Sequence, residues 1–341
     1  MKSIDVAIIG ASLAGAACVR TLSRAGIEAV AIERDRFPRE KVCGGFLSPG
    51  AVEILDELGL LDKLRAAGAV DVRSARLRAE GLEVEIPFHR AGLGISRRTL
   101  DTELADHGAV ELGNVLSAER QSDVRFRIQM NDGSEVSAKV LIDAAGKLSR
   151  FTKMHASPQF GVQFYEAESR GDVPHHVMDF WFFSDGYGGT VGIEGNRSNS
   201  CFLIRREALA RYVGKPNCLV TGPVAYKSGR SDFMAIGDAA GMIDPFCGEG
   251  MHHALDTGRI AAESVIRGLE RNWSYGEMRQ DYERERHRRW SRKRMLARVA
   301  RFALGFPVLR RAGFGFDLQQ FIDDFWGQSL SQRERVVRST R

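Results

Sequence analysis

The chain has 341 residues and a formal net charge of +5, and this length favours two domains over one. Hydrophobic residues make up 43% of it and charged residues 27%, a balance that argues against a disordered chain and for a sizeable core. The five cysteines include no Cys-x-x-Cys pair, which argues against a disulfide framework or a cysteine zinc site. Because the N-terminus lacks a signal pattern and no apolar run is long enough to span a bilayer, we expect a cytoplasmic protein.

The N-terminal residues have the pattern of a βαβ unit. Residues 5–9 form a short apolar run that is typical of a buried parallel strand. Residues 12–25 have helical periodicity, and residues 27–33 have the pattern of a second strand. Strand, helix and strand in so short a span predict a right-handed βαβ unit.

Further along the chain, helical and strand patterns alternate in longer blocks, and the chain after residue 268 is mainly helical and basic. The predicted helices are 49–58, 96–107 and one that ends near residue 268, and the predicted strand regions are 70–90, 122–146, 158–205 and 232–237.

A glycine-rich turn, Gly10-Ala-Ser12-Leu-Ala-Gly15, follows the first strand. Gly10 allows the tight turn, Ser12 is small enough for close approach to a pyrophosphate, and Gly15 allows close helix–sheet packing. The helix start supplies N–H groups for the phosphates. The carboxylate of Glu33, at the end of the second strand, is placed to accept hydrogen bonds from the ribose hydroxyls. The sequence therefore predicts dinucleotide binding. The expected contacts of this unit are Gly10, Ser12, Leu13, Ala14, Gly15, Glu33 and Arg34.

A second glycine-rich turn indicates which dinucleotide is bound. An apolar strand leads into Gly237-Asp238, and the chain then passes through Gly248 and Gly250 into a helix. Asp238 is placed to accept a hydrogen bond from a sugar-like hydroxyl, and the helix dipole favours a reduced, anionic ring. This suits FAD with its ribityl chain. The expected contacts of this unit are Gly237, Asp238, Pro245, Gly248, Glu249, Gly250 and Met251.

The sequence resembles the p-hydroxybenzoate hydroxylase-like FAD enzymes, and within them the geranylgeranyl reductase-like group. The resemblance covers about residues 4–150 and 220–268. It rests on the two turns and Glu33 and on the segments Lys41-Val-Cys43-Gly44-Gly45, Ser96-Arg97-Arg-Thr-Leu-Asp101 and Asp143-Ala-Ala-Gly146. It implies that Arg97 contacts the phosphate or adenosine side of FAD, that Asp238 holds the ribityl chain and that Gly248–Met251 lie under the flavin. It also adds Cys43, Gly44, Asp143 and Gly146 to the cofactor contacts.

The resemblance implies an α/β fold with an α+β insert. A Rossmann-like FAD-binding domain carries an inserted antiparallel-sheet substrate domain, and a C-terminal helical segment follows. The predicted boundaries are 1–68, 95–155 and 225–270 for the FAD-binding domain, 69–94 and 156–224 for the substrate domain, and 271–341 for the helical region.

Cys43 is the candidate catalytic residue. The reductase-like group implies a residue beside the flavin that shapes or protonates the substrate, and the alternative is a small buried apolar side chain. Cys247 is a weaker candidate of the same kind. Neither has a neighbouring histidine in the sequence that would indicate an activated thiolate.

The aromatic stretch at residues 179–190 predicts a wall for an apolar substrate, and ordinary sheet core is the alternative. The candidate substrate contacts are Tyr165, Trp181, Phe182 and Tyr187. The reductase-like group has a similar aromatic stretch that lines a lipid tunnel, although Ser184 stands near the position of its proline.

Three further features leave alternatives open. In hydroxylases the motif at Asp143–Gly146 also serves NADPH, but here Ala145 precedes Gly146, so the electron donor is NAD(P)H or another reductant. His252 and His253 follow the second glycine-rich turn. A role of these side chains in packing is favoured over a role in proton transfer to the flavin. No His/Cys/Asp cluster has metal-ligand spacing, and we expect no metal.

Residues 284–301 predict a dense basic helix with an apolar stripe. A solvated helix face is one interpretation, peripheral contact with an anionic membrane is another, and nucleic acid is not an expected partner.

The leading hypothesis is an FAD-dependent reductase of carbon–carbon double bonds in a small apolar, isoprenoid-like molecule. The first alternative is a monooxygenase that hydroxylates or epoxidises an aromatic or polyketide-like substrate. An alternative of another class is a non-catalytic flavin-binding protein at a membrane.

Overall fold

Two sheets organise the part of the chain that a computed structural model describes, namely residues 2–79, 82–105, 109–121, 125–166, 175–227, 231 and 233–305. The strands are β1 Lys2–Ile9, β2 Ala29–Glu33, β3 Phe46–Leu47, β4 Val70–Ala79, β5 Leu82–Gly94, β6 Val110–Leu112, β7 Val115–Arg120, β8 Phe126–Met130, β9 Glu135–Asp143, β10 Met154–Ala156, β11 Gln159–Glu166, β12 Val177–Phe183, β13 Gly186–Ile193, β14 Arg197–Arg205, β15 Cys218–Thr221, β16 Ala225–Lys227 and β17 Met234–Ala235. The helices are α1 Leu13–Arg24, α2 Pro49–Glu57, α3 Leu61–Ala66, α4 Arg97–Ala105, α5 Gly250–Glu270 and α6 Tyr275–Gly305.

The first sheet has the strand order β6-β2-β1-β9-β8-β7, with β17 paired to the end of β9. Strands β6, β2, β1, β9 and β17 pair in parallel, whereas β7 and β8 continue the sheet antiparallel to β9. The end of β1 is apolar on both faces because both faces are covered: Val6, Ala7 and Ile8 have no exposed surface. The predicted βαβ unit is present, with α1 one residue shorter than expected at each end.

Helices α1 and α5 cross closely over this sheet. At Gly258 of α5, a β-carbon would lie 2.2 Å from the carbonyl oxygen of Ala14, so only glycine allows the crossing at this distance. The Tyr282 side chain of α6 is fully buried and donates a hydrogen bond of 2.6 Å to the carbonyl oxygen of Ala235. Both long C-terminal helices therefore pack behind the second glycine-rich turn.

The second sheet has the order β15-β11-β14-β13-β12-β4-β5-β3. Its neighbours pair antiparallel except β4 and β12, which are parallel and join two segments far apart in sequence. The α/β fold class with an antiparallel-rich insert and C-terminal helices is confirmed, while the domain boundaries stay predictions. The patterns did not predict α3 or the strands β3, β6, β7, β10, β15 and β16. These elements have only two to six residues, which is too short for periodicity to show.

No helix among the described residues is long and apolar enough to cross a membrane.

Candidate FAD and substrate site

A cavity of about 770 Å³ lies where the two sheets meet. Both glycine-rich turns contribute to its wall, although more than two hundred residues separate them in sequence. Of the predicted cofactor contacts, the wall includes Gly10, Ser12, Leu13, Ala14, Glu33, Arg34, Cys43, Gly44, Arg97, Gly146, Gly237, Asp238, Pro245, Gly248, Gly250 and Met251. Three predicted contacts, Gly15, Asp143 and Glu249, are buried outside this wall.

The first turn has the geometry of a phosphate cradle. Gly10 has a φ of +100°, and a β-carbon there would lie 2.7 Å from the carbonyl oxygen of Ala144. A β-carbon on Gly15 would lie 1.9 Å from the Gly10 carbonyl oxygen. Gly15 therefore allows α1 to pack closely against the first turn instead of lining the cavity itself. This packing brings the N-terminus of α1 to the cavity.

Glu33 ends β2 beside this cradle. Its carboxylate accepts hydrogen bonds from the backbone N–H groups of Ala11 at 2.9 Å and Asp35 at 3.1 Å. Arg39 adds an ion pair at 3.3 Å. These contacts hold the carboxylate at the cavity wall, where its remaining acceptor capacity would be available to the hydroxyls of a bound ribose.

Arg97 reaches the cradle from the first turn of α4. It pairs with Asp101 through two contacts of 2.8 and 2.9 Å and donates a hydrogen bond of 2.7 Å to the Ser12 hydroxyl. Although burial opposes ionisation of both groups, their pairing raises the pKa of Arg97 and lowers the pKa of Asp101. Asp101 belongs to a motif quoted above but was not among the predicted site residues, and it fixes the orientation of the arginine.

Lys41 is a cavity residue that the sequence analysis did not select. Burial and then the charge of Arg97 lower the pKa of the Lys41 ammonium, whereas Asp101 and Asp238 oppose this effect. Asp101 compensates Arg97, and Lys41 adds a further cationic charge close to this pair. A diphosphate, which carries two negative charges, complements that position.

The second turn starts where β17 meets the end of β9. The backbone N–H of Ile236 donates to the carbonyl oxygen of Asp143 at 2.8 Å, and the N–H of Gly237 donates to Thr257 Oγ1 at 2.9 Å. These bonds hold Asp238 at the cavity wall. The Asp143 side chain instead accepts hydrogen bonds from the Ala145 N–H and the Ser149 and Thr152 hydroxyls, so it shapes the turn that carries Gly146.

The chain then turns into α5, whose N-terminus opens on the cavity. Gly248 adopts a φ of +65°, which glycine reaches at little cost. Gly250 and Met251 begin the helix and line the wall. The first N–H groups of α5 have no carbonyl partner within the helix. Together with the positive end of the helix dipole, they would stabilise negative charge on a ring bound at this end of the cavity.

Cys43 lines the cavity, and the insert sheet holds its backbone from two sides. Its N–H donates to Gln163 Oε1 at 2.9 Å, and its carbonyl oxygen accepts a hydrogen bond of 2.9 Å from Asn199 Nδ2. Both side chains are buried, and the sequence analysis selected neither. Cys43 is a free thiol near the Arg97 guanidinium, while the Cys247 side chain lies outside the described part of the structure.

Of the four predicted substrate contacts, only Tyr187 lines the cavity. Tyr187 lines the cavity together with Phe180, which the sequence analysis did not select. Phe182 packs against Tyr187 and Phe246 without lining the cavity. Trp181 is on the opposite face of β12, because successive strand residues alternate, and packs against Phe202.

Tyr165 also lies outside the cavity wall. Its hydroxyl donates to Glu40 at 3.0 Å, and the Arg197 guanidinium lies 5.4 Å from the ring centroid. The apolar wall instead gains Phe246 from the second turn, whose ring centroid is 5.4 Å from that of Phe180. Tyr187 connects the insert sheet to the second turn, since its hydroxyl donates a hydrogen bond of 3.1 Å to the Asp244 carboxylate.

Many charges of the basic helix have partners inside the protein. Arg286 and Arg294 donate to the carbonyl oxygens of Ala240 and Gly241, two and three residues after Asp238. Arg289 pairs with Asp256 at 3.2 Å, and Arg288 pairs with Glu285 at 2.8 Å. Contact of residues 284–301 with an anionic membrane stays a prediction, and the side chains from residue 298 on lie outside the described part.

His252 and His253, which follow the second glycine-rich turn, are both buried behind it. His252 Nδ1 contacts the carboxylate of Glu249, and the His252 and His253 rings lie 5.0 and 4.8 Å from that of Trp290. Burial, and then the positive charges of Arg294 and Arg286, hold the pKa of His253 well below its ordinary value. Within the described ranges, no group of His, Cys, Asp and Glu side chains has the arrangement of a metal site.

These residues fit FAD. The first turn, Glu33, Arg97 and Lys41 match the adenosine and diphosphate, and Asp238 matches the ribityl chain. The start of α5, which lines the same cavity as the aromatic wall, matches the flavin ring.

Comparisons with known proteins agree with this assignment. A family model described as an FAD binding domain matches residues 3–154. The chain is 30% identical over 326 residues to a menaquinone reductase of Mycobacterium tuberculosis strain H37Rv, covering 80% of this chain and 79% of that protein. It is 25% identical over 310 residues to a geranylgeranyl diphosphate reductase of Rhodobacter capsulatus, covering 78% and 76%.

Among solved structures, a probable FAD-dependent monooxygenase from Pseudomonas aeruginosa has the same fold, with a TM-score of 0.75 at 16% identity over 91% of this chain and 99% of that one. The predicted enzymatic flavoprotein is confirmed, which removes the non-catalytic alternative. The chain belongs to the FAD-dependent oxidoreductases of the p-hydroxybenzoate hydroxylase-like superfamily, in the geranylgeranyl reductase-like group.

Proposed function

We propose that this enzyme reduces carbon–carbon double bonds in an apolar, isoprenoid-like substrate. The observation that carries the proposal is an apolar wall in the cavity that the start of α5 also lines. It is built from Met178, Phe180 and Tyr187 of the insert sheet and Phe246 of the second turn. Such a wall binds a hydrocarbon by burying its surface. The names of the two reductases above support the same substrate class, since menaquinone and geranylgeranyl diphosphate both carry isoprenoid chains.

The residues of this chain have three tasks in the reaction. Bound FAD in its reduced form would supply the hydride, and with it both electrons of the reduction. The aromatic wall holds the alkene and excludes water from it. The Cys43 thiol, at the same cavity, is the candidate donor of the proton that completes addition across the double bond, and water then returns that proton to the thiolate.

Product analysis tests this proposal. The enzyme is reduced with dithionite without oxygen, incubated with a prenylated quinone or an isoprenoid lipid, and the extracted lipid is then exposed to air before mass spectrometry. We expect a product that keeps two added hydrogens after air oxidation. A product that returns to its starting mass in air indicates reduction of a quinone ring and contradicts the proposal.

The monooxygenase alternative is supported by the fold shared with the Pseudomonas aeruginosa protein. It predicts a product that contains one oxygen atom, labelled when the incubation with a reductant is carried out under ¹⁸O₂. Label in the lipid, with no added hydrogens in the anaerobic experiment, supports this second function and refutes the first.

A further inference from the structure

Glu249 occupies an unusual position for a carboxylate, immediately before α5 at the flavin end of the cavity. Its neighbours Gly248 and Gly250 line the cavity, but its own side chain lies behind the wall and is 1% exposed. Taking a carboxylate out of water is costly unless a charge or hydrogen bonds compensate it.

The compensating charge comes from α6. Lys293 Nζ lies 3.5 Å from Glu249 Oε2, and the same oxygen contacts His252 Nδ1. The other carboxylate oxygen, Oε1, and the hydroxyl of Ser48 at the start of α2 are buried without a hydrogen-bond partner among the described residues. Burial alone would raise the pKa of Glu249, but Lys293 and then His252 outweigh it, so the pKa lies below its ordinary value.

Helix α6 is held firmly beside the second turn. Arg294, the next residue after Lys293, donates to the carbonyl oxygen of Gly241, and Arg286 donates to that of Ala240 at 3.3 Å. Trp290 Nε1 donates to Asp256 of α5 at 2.7 Å. These bonds determine where the Lys293 ammonium lies relative to the start of α5.

We propose that Lys293 and Glu249 form a compensated ion pair whose balance sets the reduction potential of the bound FAD. Two electrons and one proton convert the oxidised ring to its reduced anion, which adds one negative charge at the start of α5. A positive charge behind this wall favours that anion, and a negative charge disfavours it. The inference rests on the FAD site and is independent of the substrate.

Glu249→Gln tests the inference directly, because it keeps the side-chain shape and leaves Lys293 uncompensated. We expect a more positive midpoint potential, measured by equilibration with a redox dye. The ratio of reduced to oxidised flavin at a fixed solution potential should rise about tenfold, the order expected for one charge on the order of 10 Å away at an effective dielectric constant of about 20.

A rescue experiment supplies the matched control. Adding Lys293→Met to Glu249→Gln removes the excess charge and should restore the wild-type potential. Adding Arg292→Met, which removes the same charge from an exposed neighbour on α6, should not. An unchanged potential in Glu249→Gln, or equal rescue by both second substitutions, would overturn the inference.

Lys293→Met alone provides an independent test if Glu249→Gln does not retain FAD. Without the lysine, burial opposes the negative charge of Glu249 and His252 favours it, so the carboxyl loses its proton as pH rises. The midpoint potential should therefore fall progressively further below the wild-type value as pH rises. Potentials identical to those of the wild type at every pH would contradict the proposed role.

Discussion

Asn199 of β14 donates a hydrogen bond of 2.9 Å to the carbonyl oxygen of Cys43, a residue 156 positions earlier in the chain. The side-chain oxygen of Gln163, on β11, accepts a hydrogen bond of 2.9 Å from the backbone N–H of Cys43. The insert sheet thus holds the loop that carries the thiol against the cofactor cavity. Cys43 is positioned by residues from the insert sheet rather than by its own loop.

Asn199→Ala should loosen this loop. Loss of a net hydrogen bond costs about 0.5–1.5 kcal/mol, so the open loop should become a few times more populated. We expect faster alkylation of Cys43 by iodoacetamide, followed by peptide mass spectrometry, and lower turnover. Gln129→Ala, which removes an exposed amide from β8, is the control. Equal alkylation rates in all three proteins would show that Asn199 does not hold the loop.

Asp238→Ala should weaken FAD binding by more than tenfold. A buried hydrogen bond to a carboxylate contributes roughly 1.5–3 kcal/mol, and about 1.4 kcal/mol corresponds to a factor of ten. The dissociation constant is measured by titrating apoprotein with FAD and following flavin fluorescence. Asp62→Ala, at an exposed position in α3, should bind FAD normally. Wild-type affinity in a folded Asp238→Ala protein would mean that the second turn has another role.

Lys41→Met should also weaken FAD binding, and the defect should depend on pH. In the apoprotein the pKa of Lys41 is lowered, and a bound diphosphate raises it again, so FAD binds the protonated lysine more tightly. As pH rises through the lowered pKa, wild-type affinity should therefore fall, whereas the affinity of Lys41→Met should stay flat. Lys41→Arg should preserve binding at high pH.

The control for this experiment is Lys153→Met, which removes an exposed lysine. The same decline of affinity with pH in wild type and Lys41→Met would assign the titration to another group.

Phe180→Ala and Trp181→Ala form a matched pair on the two faces of β12. Phe180 lines the cavity and Trp181 does not, so only the first substitution removes apolar surface from the substrate. Burial of an aromatic side chain contributes about 1.5–3 kcal/mol, and we expect KM to rise on the order of tenfold for Phe180→Ala. Trp181→Ala should lower the melting temperature with little change in KM. A larger KM effect from Trp181 would place the substrate on the other face.

The local sequence was sufficient to predict two cofactor turns, and the structure brings both of them to one cavity. Gly10, Ser12 and Gly15 lie within one strand–turn–helix unit, and so do Gly237 and Asp238 with the strand before them. Their chemistry depends on backbone conformation and short spacing, which neighbouring residues determine. For the same reason the FAD-binding fold could be inferred before any long-range contact was known.

Only the tertiary structure showed which side chains share the cavity. Phe180 rather than Trp181 faces it because pairing of β12 with β4 and β13 sets which alternate residues point inward. Asp101 beside Arg97 and Lys293 beside Glu249 depend on the exact crossing of helices, and Gln163 and Asn199 reach Cys43 from strands far along the chain. Such contacts carry no local signal, because a strand or helix pattern specifies a face and a period but not the partner across the interface.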